Sequence, residues 1–201
     1  MAPGGADSMA ESSRMRGYFG IGVERISKAM NVGAVMRTAH AFGASFLFTI
    51  AADYRRAEGE RADTSAATGH VPLLEFPDVE SLKLPRGCAL VGIELLDEAD
   101  ELPSFRHPLQ AAYVLGPERG SLSPALVARC EHVVKIPTKF CVNVSVAAAI
   151  VMYDRTLTLG RYPPRPVGAG GPVTLPAPHR YGAPVMRRRA GLPKETGSSG
   201  R

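Results

Sequence analysis

Three short segments hold most of the residues that could do chemistry. In Asn31-Val-Gly-Ala-Val-Met-Arg37-Thr-Ala39, Asn31 and Arg37 are the polar members of an otherwise apolar helical pattern. Asn31 offers both a donor and an acceptor, and Arg37 a fixed positive charge. Six residues separate them, nearly two turns, so both side chains can share one side of a helix. Gly33 and Ala34 leave room for close approach at the helix start. The plain alternative is a helix N-cap followed by a solvated arginine. In Tyr113-Val-Leu-Gly-Pro-Glu-Arg-Gly-Ser-Leu-Ser-Pro124, an apolar strand runs into Gly116-Pro117, Glu118 and Gly120, then a capped helix. Such a turn exposes backbone N–H groups and a carboxylate at a strand end; an ordinary strand-to-helix loop reads the same way. In the third, a strand ends at Ile136-Pro137 and a small-residue helix starts near Asn143. Ala147, Ala148 and Ala149 let another backbone come close. Core packing, with Asn143 as a cap, is the plain alternative.

These segments need elements to hold them. Strands are expected at Tyr18–Glu24, Ser45–Ile50, Leu73–Phe76, Ala89–Leu95, Ala111–Leu115 and His132–Ile136. Ala89–Leu95 and Ala111–Leu115 are near-continuous apolar runs, the kind buried on both faces. Helices are expected at Asn31–Phe42, capped by Asn31 and stopped by Gly43, at Asp78–Leu82, at Ser123–Cys130 with Ser123 as cap, and at Asn143–Leu159. The alternation predicts an α/β fold, a mostly parallel sheet flanked by helices. Ligands of such sheets sit beyond the carboxyl ends of the strands, where all three segments fall.

The chain has 201 residues and a net charge of +5, unevenly spread. Residues 161–201 hold eight basic residues against Glu195 alone, while residues 1–160 hold 16 Lys+Arg against 18 Asp+Glu. Residues 161–201 also contain eight Pro and seven Gly, a composition that defeats helix and sheet, so a flexible basic tail is expected. Residues 1–17 are expected to be disordered, leaving 18–160 as the folded domain. Cys88, Cys130 and Cys141 form no C-x-x-C pair, and the histidines are scattered, so neither a disulfide framework nor a metal site is expected. No secretory signal and no membrane-spanning run is visible. A soluble, cytoplasmic protein fits this pattern.

Taken in order, the three segments resemble the SpoU/TrmH family of RNA ribose methyltransferases, a branch of the SPOUT superfamily. The family's first motif, Asn-x-Gly-Ala-x-x-Arg-Thr-Ala, is matched by Asn31 to Ala39. Its second, Leu-Gly-x-Glu-x-x-Gly-Leu-Ser, is matched by Leu115 to Ser123 with one extra residue before Leu122. Its third, Ile-Pro, a short loop, then Ser-Leu-Asn-Val-Ser-Val-Ala, is matched by Ile136-Pro137 and Asn143 to Ala147. The resemblance covers residues 18–160. It implies a deep C-terminal trefoil knot, S-adenosylmethionine bound in the knot, and a homodimer whose active site draws on both subunits. The implied reaction is methyl transfer to a ribose 2′-hydroxyl of tRNA or rRNA. The short stretch before the first strand tilts that expectation towards tRNA.

Carried onto this chain, the resemblance makes Arg37 the catalytic arginine, with Asn31 and Glu118 orienting it and Asn143 positioning the ribose or supporting the knot. An arginine is a poor base because it stays protonated. A nearby phosphate relay or a purely electrostatic role is therefore implied. Leu115, Gly116, Ile136, Cys141 and Val142 would cradle the cofactor, and Glu94 would wall its pocket. Cys141 stands where the family has serine and Val142 where it has leucine, and the loop Thr138-Lys139-Phe140 is short. A thiol bonds more weakly than a hydroxyl. Cys141 also opens a covalent route, which needs a pKa-lowering setting that one lysine scarcely supplies. Two other readings compete: a non-catalytic RNA-binding or assembly protein of the same fold, and a Rossmann-type enzyme built on Gly20-Ile-Gly22, whose fingerprint lacks the third glycine. Arg55, Arg56, Arg61 and the tail are expected to supply RNA affinity.

Overall fold

The apolar runs of the sequence become parallel strands. A computed structural model describes residues 17–54, 69–160, 162–163 and 165–171. The expectations for residues 1–16, for Arg55, Arg56 and Arg61, and for most of the tail lie outside the described residues. The chain divides into two units, Met1–Arg161 and Tyr162–Arg201. The described part of the second unit holds neither helix nor strand.

In the first unit, strands β1 (Tyr18–Glu24), β2 (Phe46–Ile50), β3 (Leu73–Phe76), β4 (Ala89–Ile93), β5 (Asp100–Glu101), β6 (Gln110–Leu115) and β7 (His132–Lys135) form one sheet. Its order is β3-β2-β1-β6-β4-β7-β5, and every pairing is parallel. The α/β class expected from the alternation is the one observed. β2, β4 and all of β6 except Gln110 are buried on both faces. Their sequences are apolar for that reason rather than alternating, with buried Thr49 the one exception.

Helix α1 (Ala29–Ala41) and helix α3 (Val144–Leu159) pack on each other and on one face of the sheet. There Val32, Val35, Met36 and Ala39 meet Ile21, Val91 and Tyr113, together with Ala148, Val151 and Met152. The other face packs Phe46, Phe48, Leu90 and Val114 against Leu122 and Leu126, around the four-residue helix α2 (Pro124–Val127). Gly20 and Gly22 belong to this packing. A Cβ at Gly20 would stand 2.2 Å from the Phe46 ring, and one at Gly22 would stand 2.4 Å from Phe48. The Gly-x-Gly of β1 thus makes room for two aromatic rings.

Strand ends shift by one or two residues from the expected ones, β4 for example stopping at Ile93 rather than Leu95, and the larger differences lie elsewhere. Asn31 is not the cap of α1, which starts at Ala29 after Lys28; Lys28 makes no side-chain cap bond. Asp78–Leu82 is a turn, because the Asp78 carboxylate takes the Ser81 N–H at 2.7 Å. α2 stops at Val127, short of Cys130. β5 carries only two acidic residues and gave no strand signal. Other signals hold. Gly43 ends α1 at φ +71°, with Ala44 N bonded to Ala39 O and Gly43 N to His40 O, the six-to-one closure that glycine favours. Ser123 caps α2 and Asn143 caps α3 through their side chains.

The amino-terminal edge of the sheet holds a buried polar network. Arg155, in the last turns of α3 and 1% exposed, donates to Pro108 O, Leu109 O, Tyr18 O and the Tyr113 hydroxyl. That hydroxyl lies 2.6 Å from His107 Nδ1, and His107 Nε2 lies 2.9 Å from Asp154. Tyr113 accepts from arginine, so its own proton goes to Nδ1, and Nε2 carries the imidazole proton towards Asp154. Burial lowers the His107 pKa, and Asp154 only partly restores it. Burial also pushes Tyr113 up to about 12.

Candidate cofactor and substrate site

β6, β4 and β7 are neighbours in the sheet, so the loops leaving their carboxyl ends share one stretch of edge. Between those loops lies an open cavity of about 290 Å³. All six expected cofactor residues line it: Glu94, Leu115, Gly116, Ile136, Cys141 and Val142. Ile93, Val144 and Ala147 complete an apolar floor. Gly116 lies so close to the following loop that a Cβ there would stand 3.1 Å from Leu122 N.

Asn31, Glu118 and Asn143 stand at the same cavity and are bonded in series. Glu118 Oε1 accepts from Asn31 Nδ2 at 3.0 Å and from Lys28 N at 3.0 Å. Its Oε2 accepts from Ser27 N and Ser27 Oγ. Asn31 Oδ1 accepts from Asn143 Nδ2 at 3.2 Å, and Asn143 Oδ1 accepts from Ser145 N and Ser145 Oγ. Glu118 therefore satisfies, from another loop, the backbone N–H of Lys28 at the start of α1. Burial pushes the Glu118 carboxyl up, but bonds from Asn31, its own N–H, Lys28 and Ser27 outweigh it and hold the pKa below the usual value.

One motif residue per segment meets at this point. The scan of protein families adds the deciding observation: the model described as the SpoU rRNA Methylase family matches residues 19–153. The chain belongs to the SpoU rRNA methylase family. An uncharacterized tRNA/rRNA methyltransferase of Archaeoglobus fulgidus is 31% identical over 156 residues, 73% of this chain and 66% of that protein. The tRNA (guanosine(18)-2′-O)-methyltransferase TARBP1 of Mus musculus is 24% identical over 139 residues, 65% of this chain and 9% of the mouse protein. Among solved structures, the AdoMet-bound rRNA methyltransferase from Sinorhizobium meliloti superposes with a TM-score of 0.64 at 17% identity, over 73% of this chain and 58% of that one. The chain spans less than two-thirds of the length of each of these three proteins.

In this SpoU-family chain, the loop after β6 is held by Glu94 and by two side chains without a sequence-derived role, Glu24 and Arg25. Arg25 Nη2 donates to Ser121 O at 2.6 Å, Glu94 Oε2 accepts from Leu122 N at 2.7 Å, and Glu24 Oε2 accepts from Ser123 N at 2.7 Å. Three successive residues are thus fixed by the ends of β1 and β4. Glu24 is 2% exposed; a carboxylate closing an apolar strand was its only sequence signal. Glu94 sits just beyond β4, which ends at Ile93, and its two oxygens bond Leu95 N and Leu122 N. It walls the cavity with a carboxylate already engaged.

Arg37 stands apart from this cluster. It is exposed on α1 and does not line the cavity. Cys141 is exposed at the rim, and Phe140 beside it is 76% exposed. Ser145, the second residue of α3, is a further residue without an expected role: it fixes the amide of Asn143.

S-adenosylmethionine fits the residues present. The cavity pairs an apolar floor, suited to a flat base, with a rim of backbone groups and amides, and Gly116 lines it without a side chain.

Proposed function

We propose that this chain transfers a methyl group from S-adenosylmethionine to a ribose 2′-hydroxyl of RNA, with tRNA favoured over rRNA. The observation that carries the reading is the series Glu118–Asn31–Asn143, which ties all three motif segments together at the rim of an apolar cavity on the carboxyl edge of the sheet. Membership of a family described as rRNA methylases supports the chemistry, and the mouse relative named for tRNA 2′-O methylation supports both the ribose target and the tRNA preference.

The cofactor supplies an electrophilic methyl on a sulfonium. Leu115, Gly116, Ile136, Cys141 and Val142 would together cradle its adenine and ribose, with Glu94 keeping the facing loop in place. Glu118 and Asn31 fix the start of α1 and, with it, the position of Arg37. Arg37 remains charged and acts by stabilising the oxygen as its proton departs, with an RNA phosphate able to take that proton. Asn143 positions the ribose. The reading extends to a homodimer whose site is completed by the partner, a C-terminal knot enclosing the cofactor, a cytoplasmic setting, and a basic tail that adds affinity for RNA.

The test is incubation with labelled S-adenosylmethionine and total tRNA and rRNA. Label in ribose 2′-O-methyl groups is the expected result. Cofactor binding without transfer to any RNA would sink the catalytic reading. It would favour a non-catalytic RNA-binding protein instead, the alternative suggested by Cys141 and its short loop.

A further inference from the structure

A second cavity, of about 440 Å³, adjoins the first. Lys28, Pro117 and Glu118 line both. Arg25, Ser27 and Arg119 complete the second, which gathers three cations at one place. Residues 1–160 hold 16 Lys+Arg against 18 Asp+Glu, so this concentration is local and not the spill of a generally basic surface.

Each cation is placed differently. Arg25 directly follows β1 with φ +51°, in the left-handed region that a residue with a side chain rarely adopts. Its Nη2 is spent on Ser121 O, and it lies 3.8 Å from buried Glu24, which orients a guanidinium whose side chain is still 49% exposed. Arg119 is exposed, and among the described residues neither Arg119 nor the Lys28 ammonium has a hydrogen-bonding or ionic partner. The two nearby carboxylates are already engaged, Glu118 by four donors and Glu24 by Ser123 N. One pinned guanidinium beside two unspent cations is a site for a phosphate oxyanion.

We propose that Arg25, Lys28 and Arg119 form a subsite for a phosphodiester of the RNA, seating it beside the ribose that is methylated. The inference rests on the reading of the chain as an RNA 2′-O-methyltransferase and adds a specific anchor to it. Backbone phosphate contacts fix register without reading sequence, so the subsite sets where the ribose lies, not which base it carries.

The test is binding and turnover of unfractionated tRNA by the full chain across a salt series. Arg119 is exposed and does not line the cofactor cavity, so Arg119→Gln should fold and keep its cofactor affinity. It should reduce the slope of log affinity against log salt by about one. It should also raise KM for tRNA several-fold, with kcat within about twofold. Arg119→Lys should retain the wild-type slope. Arg86→Gln, an exposed cation at the opposite edge of the sheet, is the control. Equal slopes and KM values for Arg119→Gln and Arg86→Gln would overturn the subsite alone. Cofactor binding by the wild type with no binding of any RNA would overturn the functional reading and the subsite with it.

Discussion

Asn143 Nδ2 donates to Asn31 Oδ1 at 3.2 Å, although 112 positions separate the two residues in the chain. The direction of that bond is imposed from one end. Glu118 can only accept, so Asn31 must present its Nδ2 to the carboxylate and its Oδ1 to Asn143. Asn31→Asp preserves the shape and destroys the polarity. It sets a second carboxylate against Glu118 where a donor stood.

Asn31→Asp should therefore destabilise the protein more than Asn31→Ala at neutral pH, by about 1–3 kcal/mol. Facing carboxylates raise the folded-state pKa of the pair above its unfolded value. The variant's stability is thus best below the unfolded value and declines as pH rises through the folded one. Thermal unfolding between about pH 4.5 and 8 checks this: Asn31→Asp should recover towards Asn31→Ala on acidification. A gap that does not narrow would contradict the assigned bond directions.

Arg37→Ala should reduce methyl transfer by about 100-fold or more, the scale of losing one charge-stabilising group. Cofactor affinity should hardly change, because Arg37 lies outside the cavity lining. Calorimetric titration with S-adenosylmethionine and a transfer assay separate the two effects. Full activity in the variant would remove Arg37 from the mechanism.

Glu118 supplies a pH dependence of opposite sign. Its folded pKa lies below the ordinary 4.5, since its hydrogen bonds outweigh burial. The stability it adds is complete above the unfolded value and is lost as pH falls through the folded one. The difference in unfolding free energy between wild type and Glu118→Gln should be constant from neutral pH to about 5 and shrink below it. Urea titrations at stepped pH measure this, and a difference growing with acidity would refute it.

Gly20→Ala places a methyl group 2.2 Å from the Phe46 ring. The ring must shift, at a cost of about 1–3 kcal/mol for overpacking. Melting should fall by roughly 2–4 °C for each kcal/mol. Adding Phe46→Leu should return part of the loss. Cofactor affinity should be unaffected in both variants; a marked fall would mean that Gly20 serves a ligand instead of a ring.

Tyr113→Phe removes the hydroxyl shared by Arg155 and His107. His107 Nδ1 is then a buried acceptor without its donor, which costs about 1–3 kcal/mol. Urea denaturation should show a lower midpoint with an unchanged m-value. An unaltered midpoint would show that the hydroxyl is replaced by water.

The middle of the sheet was legible because its central strands are buried on both faces. Ala89–Ile93 and the core of Gln110–Leu115 leave no polar residue to confuse the pattern. The cavity lining was legible through resemblance, since motif residues at strand ends converge once the strands are adjacent and parallel. Asn31 shows what was hidden. It has the residue type of an N-cap, but its side chain bonds Glu118, 87 positions away, and no local pattern records such a partner. Glu24 and Arg25 were hidden in the same way, since their partners are backbone groups of Ser123 and Ser121.

α3 is capped by Asn143, in the site, and its later turns carry Asp154 and Arg155, locked into the network at the amino-terminal edge of the sheet. The helix is fastened at both ends, over about 18 Å at the usual rise per residue. It cannot roll or slide by one residue without breaking bonds at both ends. The position of the Asn143 amide is therefore inherited from the opposite side of the molecule. Loosening Arg155, which touches no ligand, would reach the reaction as a small error of aim.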